Sequence, residues 1–302
     1  MSLTVVGSIA FDSVRTPFGE RDRVLGGSAV HFALAARFFT QVHVVGPVGD
    51  DFGDEQVELL RSRGIDVADI ERVEGGKTFF WRGHYEYDMN VAHTDETLLG
   101  VFGDFEPKLS EASRGASTLF LGNIQPDLQR AVRAECEGAG FAALDSMNLW
   151  IETARDSLAA AIAEVDCVLL NDAEVRMLTE EPNLAKAARK LMAMGPSIVV
   201  AKRGEYGAAL FHGGETFALP GLLLEDVRDP TGAGDSFAGG FLGYLDAQGS
   251  IDQAALRRAM AYGTVLASFN VEEFGIERVA RLERDEVESR YAELCALTRI
   301  DP

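Results

Sequence analysis

The sequence holds 302 residues, 47% hydrophobic and 25% charged, the proportions of a globular chain long enough to bury a large core. Forty-eight acidic residues against 28 basic ones give a net charge of -20. That excludes a surface built to hold nucleic acid or an anionic membrane, because either requires clustered Lys and Arg.

The chain runs straight into a strand pattern at Leu3-Thr4-Val5-Val6-Gly7, without a basic leader, and no apolar run is long enough to span a membrane. Cys136, Cys167 and Cys295 are odd in number and lack metal-ligand spacing. The expectation is a cytoplasmic protein with reduced thiols. Asp12 follows the first strand. In an open α/β sheet ligands gather at the carboxyl ends of strands, so Asp12 is either a binding carboxylate or a solvated turn residue.

Residues 13–25 show no clear periodicity and read as a flap. Gly26-Gly27 then opens an alanine-rich helix carrying His31. Val42 to Val45 reads as a second strand, followed by a helix that stops at Gly64. From 67 to 99 the pattern becomes alternating and aromatic, with Trp81, Tyr85 and Tyr87, as in strands covered on one face. The remainder alternates strands (Thr118 to Leu121, Phe141 to Leu144, Cys167 to Leu170, Ile198 to Ala201) with helices, the rhythm of a mostly parallel sheet. Asp145 ends one of these strands. Asn171 and Glu174 begin a helix, where capping and first-turn acidity account for them as well as a ligand would. Lys202-Arg203-Gly204 makes a glycine turn. No internal repeat or low-complexity linker divides the chain.

Asp229-Pro230-Thr231-Gly232-Ala233-Gly234-Asp235 then runs into an apolar helix. Small residues after a proline turn the backbone sharply and leave N–H groups uncovered at a helix start, which is an anion site. Asp235 beside it reads either as a first-turn aspartate or as a general base that takes a proton from a hydroxyl while the amides hold a phosphoryl group.

This stretch, continued by Ser236-Phe237-Ala238-Gly239-Gly240-Phe241, closely resembles the C-terminal signature of the ribokinase-like (PfkB) family of carbohydrate and nucleoside kinases. The resemblance extends to Gly26-Gly27, to Asn171-x-x-Glu174 and to Lys202-x-Gly204, and it covers nearly the whole chain. It implies a three-layer α/β sandwich with a mostly parallel central sheet and a small β lid, formed as one domain over 1–302 with lid segments near 13–25 and 67–99. It further implies transfer of the γ-phosphoryl of Mg-ATP to a hydroxymethyl group of a sugar or nucleoside. A catalytically silent nucleotide-binding protein of the same fold is the alternative.

The resemblance makes Asp235 the base and Gly232, Ala233 and Gly234 the anion hole. Asp12, Gly26 and Gly27 would face the acceptor, and His31, standing where the family carries Asn, is either a substrate ligand beside them or a packing residue on the helix face. Asn171, Glu174, Lys202, Gly204, Thr231, Ala267 and Asn270 would face the nucleotide. Asn171 and Glu174 would hold Mg²⁺ through water, and Asp229 and Thr231 are candidates for K⁺. The family's Asp-x-Asn-x-Arg has no Arg here, since Leu149 and Trp150 follow Asn148. A homodimer through the lid is a further expectation. No Gly-x-x-x-x-Gly-Lys-Ser/Thr sequence is present, so the chain carries no P-loop motif.

Overall fold

The computed structural model describes residues 1–299. Thirteen strands occur among them: β1 (Ser2–Val6), β2 (Ala10–Thr16), β3 (Gly19–Gly26), β4 (Gln41–Val48), β5 (Asp66–Arg72), β6 (Phe79–Tyr85), β7 (Ala92–Leu98), β8 (Thr118–Leu121), β9 (Phe141–Leu144), β10 (Cys167–Asn171), β11 (Ile198–Lys202), β12 (Ala208–His212) and β13 (Glu215–Leu219). The α-helices are α1 (Ser28–Ala36), α2 (Asp54–Ser62), α3 (Glu111–Arg114), α4 (Pro126–Glu135), α5 (Asn148–Thr153), α6 (Arg155–Ala163), α7 (Asp172–Thr179), α8 (Leu184–Met192), α9 (Ala233–Gln248), α10 (Gln253–Asn270), α11 (Glu277–Arg281) and α12 (Arg284–Leu297).

Nine strands form one sheet in the order β13-β12-β11-β10-β9-β8-β1-β4-β5. It is parallel from β5 through β11 and antiparallel at the β12 and β13 edge. The short β-branched runs in its centre are buried on both faces, as a parallel sheet between helices demands. Alternate side chains feed two cores. Leu3, Val5 and Val44 join the helices α1, α9 and α10 on one face, and Val6, Leu119 and Val168 join α4, α6, α7 and α8 on the other. This is the ribokinase-like α/β sandwich. Among the described residues no helix is long and apolar enough to cross a membrane.

A second, four-stranded sheet has the order β3-β2-β6-β7. Residues 13–25, read as an irregular flap, contain most of a hairpin of β2 and β3 with a register shift between Asp12 and Val14. That irregularity is why no clean alternation shows in the sequence. The stretch 67–99 divides between the two sheets. Its first part, β5, pairs with β4 at the edge of the main sheet, and only β6 and β7 belong to the small one. Alternation marks any strand with one covered face and does not say which sheet it joins.

The site is set by how closely α9 approaches its neighbours. A Cβ on Gly239 would lie 2.3 Å from the Phe32 carbonyl of α1, and one on Gly240 would lie 2.8 Å from the Tyr262 carbonyl of α10. Glycine lets three helices touch through their backbones, which fixes the start of α9 against the strand ends.

Candidate active site

Gly232 takes φ +76 as the residue before α9, a conformation in which a side chain would be strained. The turn rests on a ring. A Cβ on Gly232 would fall 2.3 Å from Cγ and Nδ1 of His31. His31 is 1% exposed and shares a hydrogen bond of 2.7 Å between its Nδ1 and Asn270 Oδ1, while Asn270 Nδ2 donates to the Thr231 carbonyl at 2.7 Å. The Ser236 hydroxyl donates to the same Asn270 oxygen at 3.0 Å. Asn270 Oδ1 acts as the acceptor here, so His31 carries its proton on Nδ1. Burial pushes the His31 pKa down to about 4 against the opposing pull of the Asn270 bond, so the ring is neutral.

Asp235 is the third residue of α9, a 16-residue helix whose dipole and free N–H groups face the same cleft. Burial, and after it the charge of Asp145, push its carboxyl up to about 7, with Lys202 pulling the other way. Lys202 ends β11, and its Nζ lies 2.6 Å from Asp145 Oδ2 beyond β9. The same ammonium lies 3.0 Å from where a Gly234 Cβ would be, at the mouth of the glycine turn. Burial opposes its charge, but Asp145, Glu174 and Asp235 raise its pKa, so it stays protonated.

Asn171 and Glu174 form a reciprocal cap on α7. Glu174 N–H donates to Asn171 Oδ1 at 2.8 Å, and Asn171 N–H donates to Glu174 Oε2 at 2.8 Å. The cap therefore engages Oε2 of Glu174 and leaves Oε1 outside it. Burial and the Asp145 charge raise the Glu174 pKa, with Lys202 opposing. A hard, mostly hydrated cation that takes one carboxylate oxygen fits this pair. Among the described residues no cluster of three or more His, Cys, Asp or Glu forms a self-contained metal cage.

The small sheet closes the other side. Asp12 on β2 is 4% exposed, and burial, the Asp229 charge and the Asp235 charge lift its carboxyl to about 7 against a hydrogen bond from Gly27 N–H. Asp12 pairs in register with Trp81 of β6, so the carboxylate and the indole stand side by side. A Cβ on Gly83 would lie 2.3 Å from the Trp81 ring, so the missing side chain lets the indole lie along the sheet. The Trp81 indole N–H donates to Thr94 Oγ1 at 3.1 Å. Tyr85, next on the same face, reaches the glycine motif itself, with its hydroxyl 3.2 Å from Thr231 Oγ1. From the loop after β6, Asn90 Oδ1 accepts from Glu205 N–H at 3.1 Å and fills the space above Gly204. The lid thus touches both the phosphate turn and the Lys202 turn.

The cleft brings together Asp235, Gly232, Ala233, Gly234, Lys202, Glu174, Asn171 and, from the lid side, Asp12. Gly26 and Gly27 pack around the Asp12 carboxylate, a Cβ on Gly26 meeting Asp12 Oδ2 at 2.0 Å. Two expectations need correction. Asn270 is 0% exposed and braces the glycine turn, so it does not wall a nucleotide pocket. His31 lies under Gly232 as its bearing surface and is not open to an acceptor. Both sit on helix faces with suitable spacing, and sequence alone does not separate a buried polar strut from a ligand. Ala267 lies part-exposed on α10. The Asp229 carboxylate accepts from Thr231 N–H at 2.9 Å and from Gly275 N–H at 2.8 Å, one bond to each oxygen. Thr231 Oγ1 lies 3.2 Å from the Tyr85 hydroxyl, so each of these oxygens has one protein partner. The pairing of Asp145 with Lys202 and the Tyr85 contact escaped the sequence reading, although Asp145 and Lys202 occupy strand ends where a parallel sheet gathers ligands.

Fold and strand-end site together define a phosphotransferase of the ribokinase-like class. The chain belongs to the family described as pfkB family carbohydrate kinase, whose model matches residues 4–280. It is 32% identical over 251 residues to a cytidine kinase of Thermococcus kodakarensis, covering 80% of this chain and 87% of that one. Among solved structures, it superposes with a TM-score of 0.78 on the Burkholderia thailandensis nucleoside kinase in complex with inosine, at 19% identity over 97% of this chain and 99% of that one. A chain from E. coli described as a ribokinase II, solved with ATP and Mg²⁺, gives 0.79 at 18% identity, again over 97% and 99%.

Proposed function

We propose that this kinase transfers the γ-phosphoryl of Mg-ATP to the hydroxymethyl group of a nucleoside, with a free sugar as the competing acceptor. The observation that carries the reading is Asp235 in the first turn of α9, directly beyond a glycine turn against which the Lys202 ammonium lies, 3.0 Å from where a Gly234 Cβ would be. Asp12 faces the cleft from the lid close enough for its charge to act on Asp235. Its two oxygens suit a vicinal diol, and the Trp81 indole beside it offers a face on which a base stacks. The named function of the cytidine kinase relative and the inosine held by the nucleoside kinase neighbour agree with that choice.

In this scheme Asp12 and the lid orient the acceptor and exclude water. Asp235 takes the proton from its hydroxyl, and the hydroxyl oxygen attacks phosphorus as the bond to ADP breaks. Amides of the glycine turn and Lys202 meet the negative charge spread over the transferring group. Glu174 and Asn171 would hold Mg²⁺ through water, and that ion supplies charge neutralisation between the phosphates. Asp229 and Thr231 remain the candidates for K⁺, and no step is assigned to that ion.

The test is ADP release from Mg-ATP with a panel of nucleosides and free sugars, comparing the native protein with Asp235→Asn. Turnover with nucleosides that disappears in the variant supports the reading. Turnover with sugars alone shifts the acceptor class, and ATP binding without any turnover favours a silent nucleotide-binding protein.

A further inference from the structure

The expected strand-end arginine is missing, and the segment that would carry it has another task. Trp150, in α5 after β9, directs its indole N–H to Asn123 Oδ1 at 2.9 Å and packs against the core below. The cleft is still rich in carboxylates. Lys202 is the cation whose charge offsets both Asp235 and Glu174.

The position of that ammonium is not left to a flexible stem. Asp145 is 6% exposed, and its carbonyl accepts from Gln129 Nε2 at 2.9 Å, which fixes the backbone. Its Oδ1 accepts from Ser146 N–H at 2.8 Å, which fixes the carboxylate plane. Oδ2 is left aimed across the end of β10, the strand between β9 and β11, and there it meets Lys202 Nζ at 2.6 Å. An ammonium has three N–H donors. With one taken by Asp145, the others remain for the space beside the glycine turn, where the ammonium lies 3.0 Å from where a Cβ on Gly234 would be and a phosphoryl group would sit.

We propose that Asp145 is a positioning residue that acts through Lys202: it holds the ammonium over the glycine turn, facing the place where the transferring phosphoryl group would sit. The proposal rests on the kinase reading above and adds to it a residue to which that mechanism gives no part. A carboxylate beside an anion site repels phosphate unless its charge is spent on a cation that faces the anion. Here the bonds from Ser146 and Lys202 spend it in that way. Small misplacements of a group that meets the transferring phosphoryl cost rate more than binding.

Two measurements test this, and the first needs no turnover. The chain has five lysines, of which Lys77, Lys108, Lys186 and Lys190 are exposed, so ¹⁵N-lysine labelling isolates the Lys202 ammonium as the signal slowest to exchange with water. Lys202→Met assigns it. The signal is expected in the native protein, to shift when Mg-ADP or Mg-ATP is added, and to be lost to exchange in Asp145→Asn. A native signal that ignores nucleotide, or one equally protected in Asp145→Asn, overturns the proposal.

The second is a mutant cycle on turnover. Asp145→Asn is expected to lower kcat about tenfold with the KM for ATP changed less than about twofold, and to have no further effect once Lys202→Met is present. A loss of the same factor in both backgrounds means that Asp145 acts independently of Lys202 and refutes the idea. If native protein turns over no acceptor, the kinase reading falls, while the nucleotide-induced shift of the Lys202 signal still decides the positioning role.

Discussion

The two halves of the cleft are built differently. On the main-sheet side, β8, β9, β10 and β11 are buried almost to the last residue, and beyond β9 and at the end of β11 stand Asp145 and Lys202, joined to each other, with Asp145 also held by Ser146 N–H. On the lid side, β7 is exposed at every residue and β3 at its first five. β2 and β6 are tied to the rest on both faces, Asp12, Trp81 and Tyr85 turning toward the cleft and Phe11 and Phe80 packing into the main core. A strand with solvent on both faces tolerates change, and one with helices on both faces does not. The proposed mechanism accordingly places phosphoryl chemistry in the rigid half and choice of acceptor in the lid.

Breaking the rigid half should cost the most. Asp235→Asn is expected to reduce kcat at least about 1000-fold with nucleotide affinity retained, measured by steady-state kinetics and calorimetry. Breaking the lid should change recognition instead: Trp81→Ala is expected to raise the KM for a nucleoside about tenfold while leaving the KM for ATP in place, as loss of one stacking face predicts. If Trp81→Ala lowers kcat and spares KM, the division of labour is wrong.

The pH profile sharpens the contrast, because each half holds one raised carboxyl. Asp235 must be unprotonated to act as a base, and Asp12 to accept from a diol, so kcat/KM should fall as pH drops through about 7. With both groups titrating together the fall approaches about two decades per pH unit, and Asp12→Asn should reduce its slope to about one. The brace of the glycine turn is a matter of stability: Asn270→Ala strands His31, Ser236 and the Thr231 carbonyl and should cost about 2 kcal/mol in denaturant unfolding. The smallest effect is expected at the lid contact, where Tyr85→Phe removes one hydroxyl from Thr231 and should raise the acceptor KM only a few-fold.

The main sheet was legible because its strands are short β-branched runs between helices and its glycine motif is long. The lid was legible as alternation but not in its partners, since β5 and β6 read alike and join different sheets. Asp235, Lys202 and Glu174 follow from motifs. The pairing of Asp145 with Lys202 does not, because it crosses β10 and joins positions 57 residues apart. The roles of Asn270 and His31 stayed open in the sequence for one physical reason: a polar side chain on a helix looks the same when it ligates a substrate and when it satisfies a buried loop.

The seat of Gly232 on the His31 ring has a consequence for how such sequences diverge. The two signatures lie about 200 residues apart in the chain, yet they meet at a single joint closed by Asn270. Change at one member is constrained by the other two, so drift at position 31 is expected to travel with compensating change at 232 or 270. Chimeras that exchange the N-terminal third between family members would inherit mismatched joints unless position 270 is exchanged with it.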